Sequence, residues 1–222
     1  MSARKKKKIV FVCTGNTCRS PMAQLLLETQ LKKADVVGFE IRSAGIAAKK
    51  GDVINPKSAQ VLSENGIAAE GFASTKLTER LLIDAYAVVC MTERQREFLM
   101  DMRWNALKKK GKTQTDEGEE IENNVYSFAE ITGYEILDPY GKDIECYRYV
   151  YGLLAAGMAQ LIEKLALRAI SDGIKAEKPK RTRKTPQKTA STLKRETKAA
   201  KKTAKPRAKK SEAEVYQMEI KF

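Results

Sequence analysis

Ile9-Val-Phe-Val-Cys13 is a β-branched and aromatic run that stops abruptly at Thr14-Gly15-Asn16. Such a run reads as a buried strand entering a loop. Ser20-Pro21 then offers a hydroxyl for a helix N-cap and a proline for the first helical position, where its missing N–H costs nothing. Met22, Leu25 and Leu26 follow as an apolar stripe. A strand and a helix joined by so short a loop must stack as two layers, which excludes an all-β or a simple helical-bundle fold.

The unit recurs in looser form. Phe39 to Gly45 reads as a strand, and Pro56 to Asn65, closed by Gly66, as a helix with a glycine C-cap. Leu77 to Asp84 reads as helical. Ala85 to Met91 is the most apolar stretch and so a central strand, after which Thr92 opens a charged helix through Met100. Val125 to Phe128 is a short strand candidate. From Asp143 onward Tyr147, Val150, Tyr151, Leu154, Met158, Leu161, Ile162 and Leu165 keep three-and-four spacing, predicting a long amphipathic helix. Strands alternating with helices predict a three-layer, doubly wound α/β fold with a parallel sheet covered on both faces.

Charge divides the 222 residues unevenly. Lys and Arg number 42 against 28 Asp and Glu, but 17 of the basic and only 5 of the acidic residues fall in 175–222. The rest carries 25 basic and 23 acidic residues and is nearly neutral. The expected organisation is a domain over 8–170, an exposed insertion at 108–124 where the charge switches from basic to acidic, and a basic tail over 175–222. The tail is too poor in apolar residues to offset the entropy of ordering, so disorder is expected there. Its last residues differ: Met218, Ile220 and Phe222 alternate with Gln217, Glu219 and Lys221, a pattern suited to a sheet edge or a groove as well as to a frayed terminus.

Histidine is absent, which removes Ser-His-Asp and Cys-His nucleophile systems and imidazole metal sites. Cys13, Cys18, Cys90 and Cys146 lack paired Cys-x-x-Cys spacing, so neither a structural zinc site nor a disulfide framework is expected. The run after Arg4 to Lys8 is too short for a signal-peptide core, and no later stretch could span a bilayer. A cytoplasmic chain without a membrane partner is expected.

The chemistry concentrates in Cys13-Thr14-Gly15-Asn16-Thr17-Cys18-Arg19-Ser20. A loop wrapped around a helix N-terminus turns backbone N–H groups inward, and with the helix dipole they make a site for a tetrahedral dianion. The same field favours a thiolate at Cys13. Arg19 adds a planar, permanently charged fork that can hold two phosphate oxygens. Gly15 and Asn16 suit the positive-φ turns such a cradle demands.

Cys-Thr-Gly-Asn-Thr-Cys-Arg-Ser-Pro-Met-Ala at the first strand-helix junction, Ser43-Ala44-Gly45 after the second strand and Asp138-Pro139-Tyr140-Gly141 before the last helix together resemble the low-molecular-weight protein tyrosine phosphatases. The resemblance covers about residues 8 to 168, outside the tail and the 108–124 stretch. It implies a sheet of four strands and a two-step reaction without metal or cofactor, in which Cys13 attacks phosphorus and forms a phosphocysteine. Asp138 would protonate the leaving group and then activate water. Arg19 and the amides of Thr14 to Cys18 would hold the phosphoryl oxygens. Ser20 would hydrogen-bond the thiolate, Asn16 and Ser43 would brace the loop, and Cys18 would capture oxidised Cys13 as a reversible disulfide. A residue packed behind the loop is the alternative for Cys18.

Phosphorylated proteins are the implied substrates. Thr17 resembles the bacterial protein-arginine phosphatases, where phosphotyrosine enzymes commonly carry a larger aliphatic residue; Tyr140 could clamp an aromatic substrate. Phosphoarginine is slightly preferred over phosphotyrosine. An arsenate reductase shares the cradle but relays a disulfide, and here the helix beginning at Thr92, after Cys90, has no second relay cysteine. The tail looks like the linker-histone-like tails of some bacterial proteins and predicts salt-sensitive, non-specific binding to nucleic acid or an acidic surface. A nucleic-acid binder on an inactive phosphatase fold is the alternative of another class.

Overall fold

The computed structural model describes residues 6–111 and 123–176. The elements run β1 (Lys7–Cys13), α1 (Arg19–Lys33), β2 (Phe39–Gly45), α2 (Pro56–Glu64), α3 (Glu79–Asp84), β3 (Ala87–Cys90), α4 (Glu93–Lys109), β4 (Val125–Ser127), α5 (Phe128–Thr132), α6 (Ile144–Lys164) and α7 (Leu167–Ala176). The four strands form one parallel sheet in the order β2-β1-β3-β4. Hence the fold is a doubly wound α/β architecture, with β1 and β3 central and apolar from Ile9 to Cys13 and from Ala87 to Cys90.

Alternation along β1 and β3 builds two cores. Ile9, Phe11, Ala87 and Val89 face α1 and α6, meeting Met22, Leu27, Val150, Leu154 and Met158. Val10, Val12, Val88 and Cys90 face the other way, toward Leu82 of α3 and Leu99 of α4. A period-two strand buried on both faces needs apolar residues at every position, and these strands have them over residues 9–13 and 87–90. Among the described residues no single helix is long and apolar enough to cross a membrane.

Several boundaries differ from expectation, each for a local reason. The first helix starts at Arg19 with Cys18 as its N-cap and no side-chain cap bond, so Ser20 does not cap it. Its hydroxyl is engaged elsewhere, against Cys13 and Asn16. The charged helix α4 runs on to Lys109, because Arg103, Ala106 and Leu107 keep its inner face buried. At the other end of the expected 108–124 insertion, Asn124 belongs to the fold: its side-chain amide donates to the carbonyls of Leu82 and Ala85. The remainder, 112–122, lies outside the described residues.

The expected tail start at residue 175 falls inside α7, where Lys175 pairs with Asp35 and Ser171 accepts from the Val37 N–H. Tail residues 177–222, with the alternating Met218, Ile220 and Phe222, lie outside the described residues. Phe128 opens α5 instead of closing β4, since the Ser127 hydroxyl caps the turn by accepting from Glu130 N–H.

The seam between α5 and α6 is tight at Gly157, where a Cβ would stand 2.6 Å from the Phe128 ring and 2.8 Å from Thr132 Cγ2. Gly157→Ala should therefore lower unfolding free energy by about 1–3 kcal/mol, the cost of overpacking a filled core. Urea denaturation measures this, and a change below about 0.5 kcal/mol, the range of an inert surface substitution, would contradict the packing.

Candidate active site

In an open parallel sheet the crevice forms past the carboxyl ends of the strands, where successive connections leave in opposite directions. Here β1 is the branch point: β2 lies on one side of it and β3 on the other. Cys13 ends β1, and the chain turns immediately into the loop that feeds α1.

The loop is held from three sides. The carbonyls of Cys13 and Thr14 accept from Ile46 and Ala47 N–H groups, and that of Thr17 from Asn55 N–H. Gly45 permits the approach of the segment after β2: a Cβ there would stand 2.7 Å from Thr14 O and 2.8 Å from Asn16 N, both backbone. Asn16 takes a left-handed φ of 54°, a conformation asparagine tolerates better than most residues. Its side chain is fully buried and fully bonded. Oδ1 accepts from Thr75 N–H at 2.7 Å, and Nδ2 donates to Ser20 Oγ and Ser43 Oγ, each at 2.9 Å.

Two polar groups converge on the Cys13 sulfur. Asn16 N–H lies 3.3 Å away and the Ser20 hydroxyl 3.0 Å away. Arg19 is nearly buried, its side chain 5% exposed. Nη1 donates to Ile136 O at 3.2 Å and Nη2 to Asp138 Oδ2 at 2.6 Å, while the buried Nε–H has no hydrogen-bond partner among the described residues. Asp138 is 49% exposed and its other oxygen accepts from Tyr140 N–H at 3.2 Å. Thus Asp138, 119 positions away in sequence, meets Arg19 at the loop that Cys13 opens.

The other expected residues ring this centre. Thr14 is exposed and accepts from the Gln95 side chain at 3.3 Å. Gly15 and Thr17 are half-buried, Gly15 without the positive φ expected of it, and Tyr140, two residues after the acid, is 72% exposed. Ser43 is buried and bonded to Asn16 and to Gln24. Cys18 is buried, its sulfur 3.7 Å from both the Tyr147 and the Thr17 hydroxyls, so its thiol faces α6. Burial pushes that thiol up, with the neighbouring hydroxyls pulling it partway back.

Gln24, Gln95, Thr75 and Tyr147 join the site without a mark in the motifs. For Gln24 a signal exists, since Ser20, Gln24 and Glu28 sit at i, i+4 and i+8 on one helix face. Thr75 acts through its backbone and leaves no such trace. Among the described residues no group of three or more His, Cys, Asp or Glu side chains could hold a metal ion.

Residues 8–171 match the model of the low molecular weight phosphotyrosine protein phosphatase family. The chain belongs to this family. Among relatives of this low molecular weight phosphatase is a protein-arginine-phosphatase from Geobacillus stearothermophilus, 35% identical over 158 residues, covering 71% of this chain and 95% of the relative. The low molecular weight protein-tyrosine-phosphatase Etp of Escherichia coli strain K12 is 28% identical over 166 residues, covering 75% of this chain and 99% of Etp. A solved structure described as YwlE arginine phosphatase, a cysteine-to-serine mutant with phosphorylated active site serine, superposes with a TM-score of 0.60 at 29% identity. It covers 72% of this chain and 95% of that one.

Cys90 contrasts with the loop. It is fully buried on β3, its thiol directed at the carbonyls of Thr92 and Tyr126, and burial pushes it up to about 12. An unfolded thiol ionises near about 8.5, so between about 9 and 12 the unfolded state loses its proton first and this contribution to stability falls as pH rises. The unfolding free energy of Cys90→Ala should therefore decline less steeply than that of the unsubstituted chain over this window. Parallel declines in urea titrations would contradict the buried neutral thiol.

Proposed function

We propose that the chain is a cysteine-dependent protein phosphatase working through a phosphocysteine on Cys13. The observation that carries this is the guanidinium of Arg19. Its far side is pinned by Ile136 O, which leaves the Nε and Nη2 edge, a two-donor fork matched to two phosphoryl oxygens, facing Asp138 with Nε unsatisfied. A buried N–H without an acceptor is costly, and an oxyanion in the loop supplies the acceptor.

The steps follow from the geometry. A phosphoryl group entering the loop takes the Arg19 edge and frees the Asp138 carboxyl at the mouth. The Cys13 sulfur, already facing two polar groups, attacks phosphorus in line; the S–P bond forms as the bond to the leaving nitrogen or oxygen breaks, and Asp138 gives the leaving atom its proton. The backbone N–H groups of the loop leading into α1 join Arg19 in holding the equatorial oxygens. Water then attacks phosphorus, gives a proton to Asp138 and expels the thiolate. Ser20 hydrogen-bonds that thiolate, and Asn16 and Ser43 keep the loop in register with it.

Between substrates, phosphoarginine is preferred. Thr17 is half-buried in the loop and carries a hydroxyl in place of a larger aliphatic side chain, and a protein-arginine-phosphatase is 35% identical over 158 residues. The exposed Tyr140, two residues after Asp138, is what favours phosphotyrosine as the second reading. An arsenate-reductase relay through Cys90 is disfavoured, because that thiol is buried and held neutral.

Phosphate release from matched phosphoarginine and phosphotyrosine peptides tests the reading. Cys13→Ser should abolish release, and Arg19→Lys should lower kcat by about 10²–10³, the usual cost of losing a transition-state donor. Asp138→Asn should lower it by about 10²–10⁴. Release that survives Cys13→Ser would sink the thiolate mechanism, and a preference above about tenfold for phosphotyrosine, over 1 kcal/mol in transition-state terms, would sink the phosphoarginine preference.

A further inference from the structure

The hydrogen bonds of the Asn16 carboxamide have only one consistent direction. Thr75 N–H can only donate, so the end of the Asn16 carboxamide that it meets is the oxygen. The opposite end is therefore the NH₂ group, and its two protons go to Ser20 Oγ and Ser43 Oγ. Both hydroxyl oxygens are acceptors, and each must place its own proton elsewhere. For Ser20 the near acceptor is the Cys13 sulfur at 3.0 Å, with Ala44 O at 3.5 Å.

For Ser43 the acceptor is Gln24 Oε1, at 2.6 Å. Gln24 is itself oriented by Glu28, whose carboxylate accepts from Nε2 at 3.0 Å and would repel Oε1 were the amide turned over. Ser20, Gln24 and Glu28 share one face of α1, and Ser43 stands opposite them on β2.

Resting on the phosphatase reading, we propose that Gln24 is a positioning residue for the nucleophile. By taking the Ser43 proton it leaves Ser43 free to accept from Asn16, and so keeps the Asn16 amide and the Ser20 proton directed at Cys13. Without it the Ser43 proton competes for the space of an Asn16 N–H, and the carboxamide loses one of its two anchors on that side. Gln24 touches neither substrate nor sulfur and acts through Ser43.

A double-mutant cycle separates this from a merely structural effect. The variants are Gln24→Met, which keeps the length and half-buried packing of the side chain, Ser43→Ala, and the pair together. The readouts are kcat and KM on phosphopeptide and the iodoacetamide alkylation rate of Cys13, followed by tandem mass spectrometry of the Ile9–Arg19 peptide. Gln24→Met should slow both alkylation and kcat about fivefold, the scale of one neutral hydrogen bond, with KM moving less than about twofold. In the Ser43→Ala background the same substitution should add nothing.

Multiplying effects in the double variant, or a loss confined to KM, would overturn the role of Gln24. If the unsubstituted chain released no phosphate, the phosphatase reading would fail, while the alkylation cycle would still decide for or against Gln24. Should Gln24→Met melt early, Gln24→Ala taken through the same cycle separates the same two outcomes.

Discussion

The site depends on one buried carboxamide. Asn16 sits in a left-handed turn, and its side chain ties together the segment before β3 through Thr75, the first turn of α1 through Ser20 and the end of β2 through Ser43. A loop of this kind has few residues and no regular ladder, so its shape must be imposed by side-chain bonds and by close packing at Gly45. Because a backbone N–H sets the orientation of the amide, the donors and acceptors around it form a directed chain. The end of that chain is a sulfur that both the Asn16 N–H and the Ser20 hydroxyl reach.

The sheet delivers the partners. With β1 at the branch of the order β2-β1-β3-β4, the loops after β1, β2 and β4 open at the same end, and the segment after α5 brings Ile136 and Asp138 to Arg19. The two central strands are buried on both faces, so the platform under Cys13 is rigid, and its charged groups stay at the rim. Asp138 is half-exposed where Arg19 is buried, which leaves the carboxylate of this ion pair open to solvent and the guanidinium inside.

Much of this is legible in the residues. The apolar run to Cys13, the Cys-to-Arg spacing and the three-and-four stripe of α6 are signals set by local geometry, and the fold keeps all three. Ser20 before Pro21 satisfies the local rule for a cap, while a tertiary contact, the Cys13 sulfur, competes for the same hydroxyl and wins. The full length of α4 is hidden because its buried face includes Arg103, which breaks the apolar period. Helix α7 is hidden because it is short and marginal by itself, and stands by packing Leu167, Ser171 and Ile174 against the domain. Gln24 carries no apolar or capping signature, and only the direction of its neighbours' protons gives it a task.

The central claim is that phosphorus passes through the sulfur of Cys13. The direct measurement is acid quench of the enzyme during turnover of a phosphoarginine peptide, with mass spectrometry and ³¹P detection on the Ile9–Arg19 peptide. The unsubstituted chain and Asp138→Asn are quenched side by side, since removing Asp138 slows both formation and hydrolysis of the intermediate. The expected result is one phosphoryl group on Cys13, in thiophosphate linkage, that decays as phosphate appears. Steady release of phosphate with the adduct absent, or with it on any other residue, would contradict the claim.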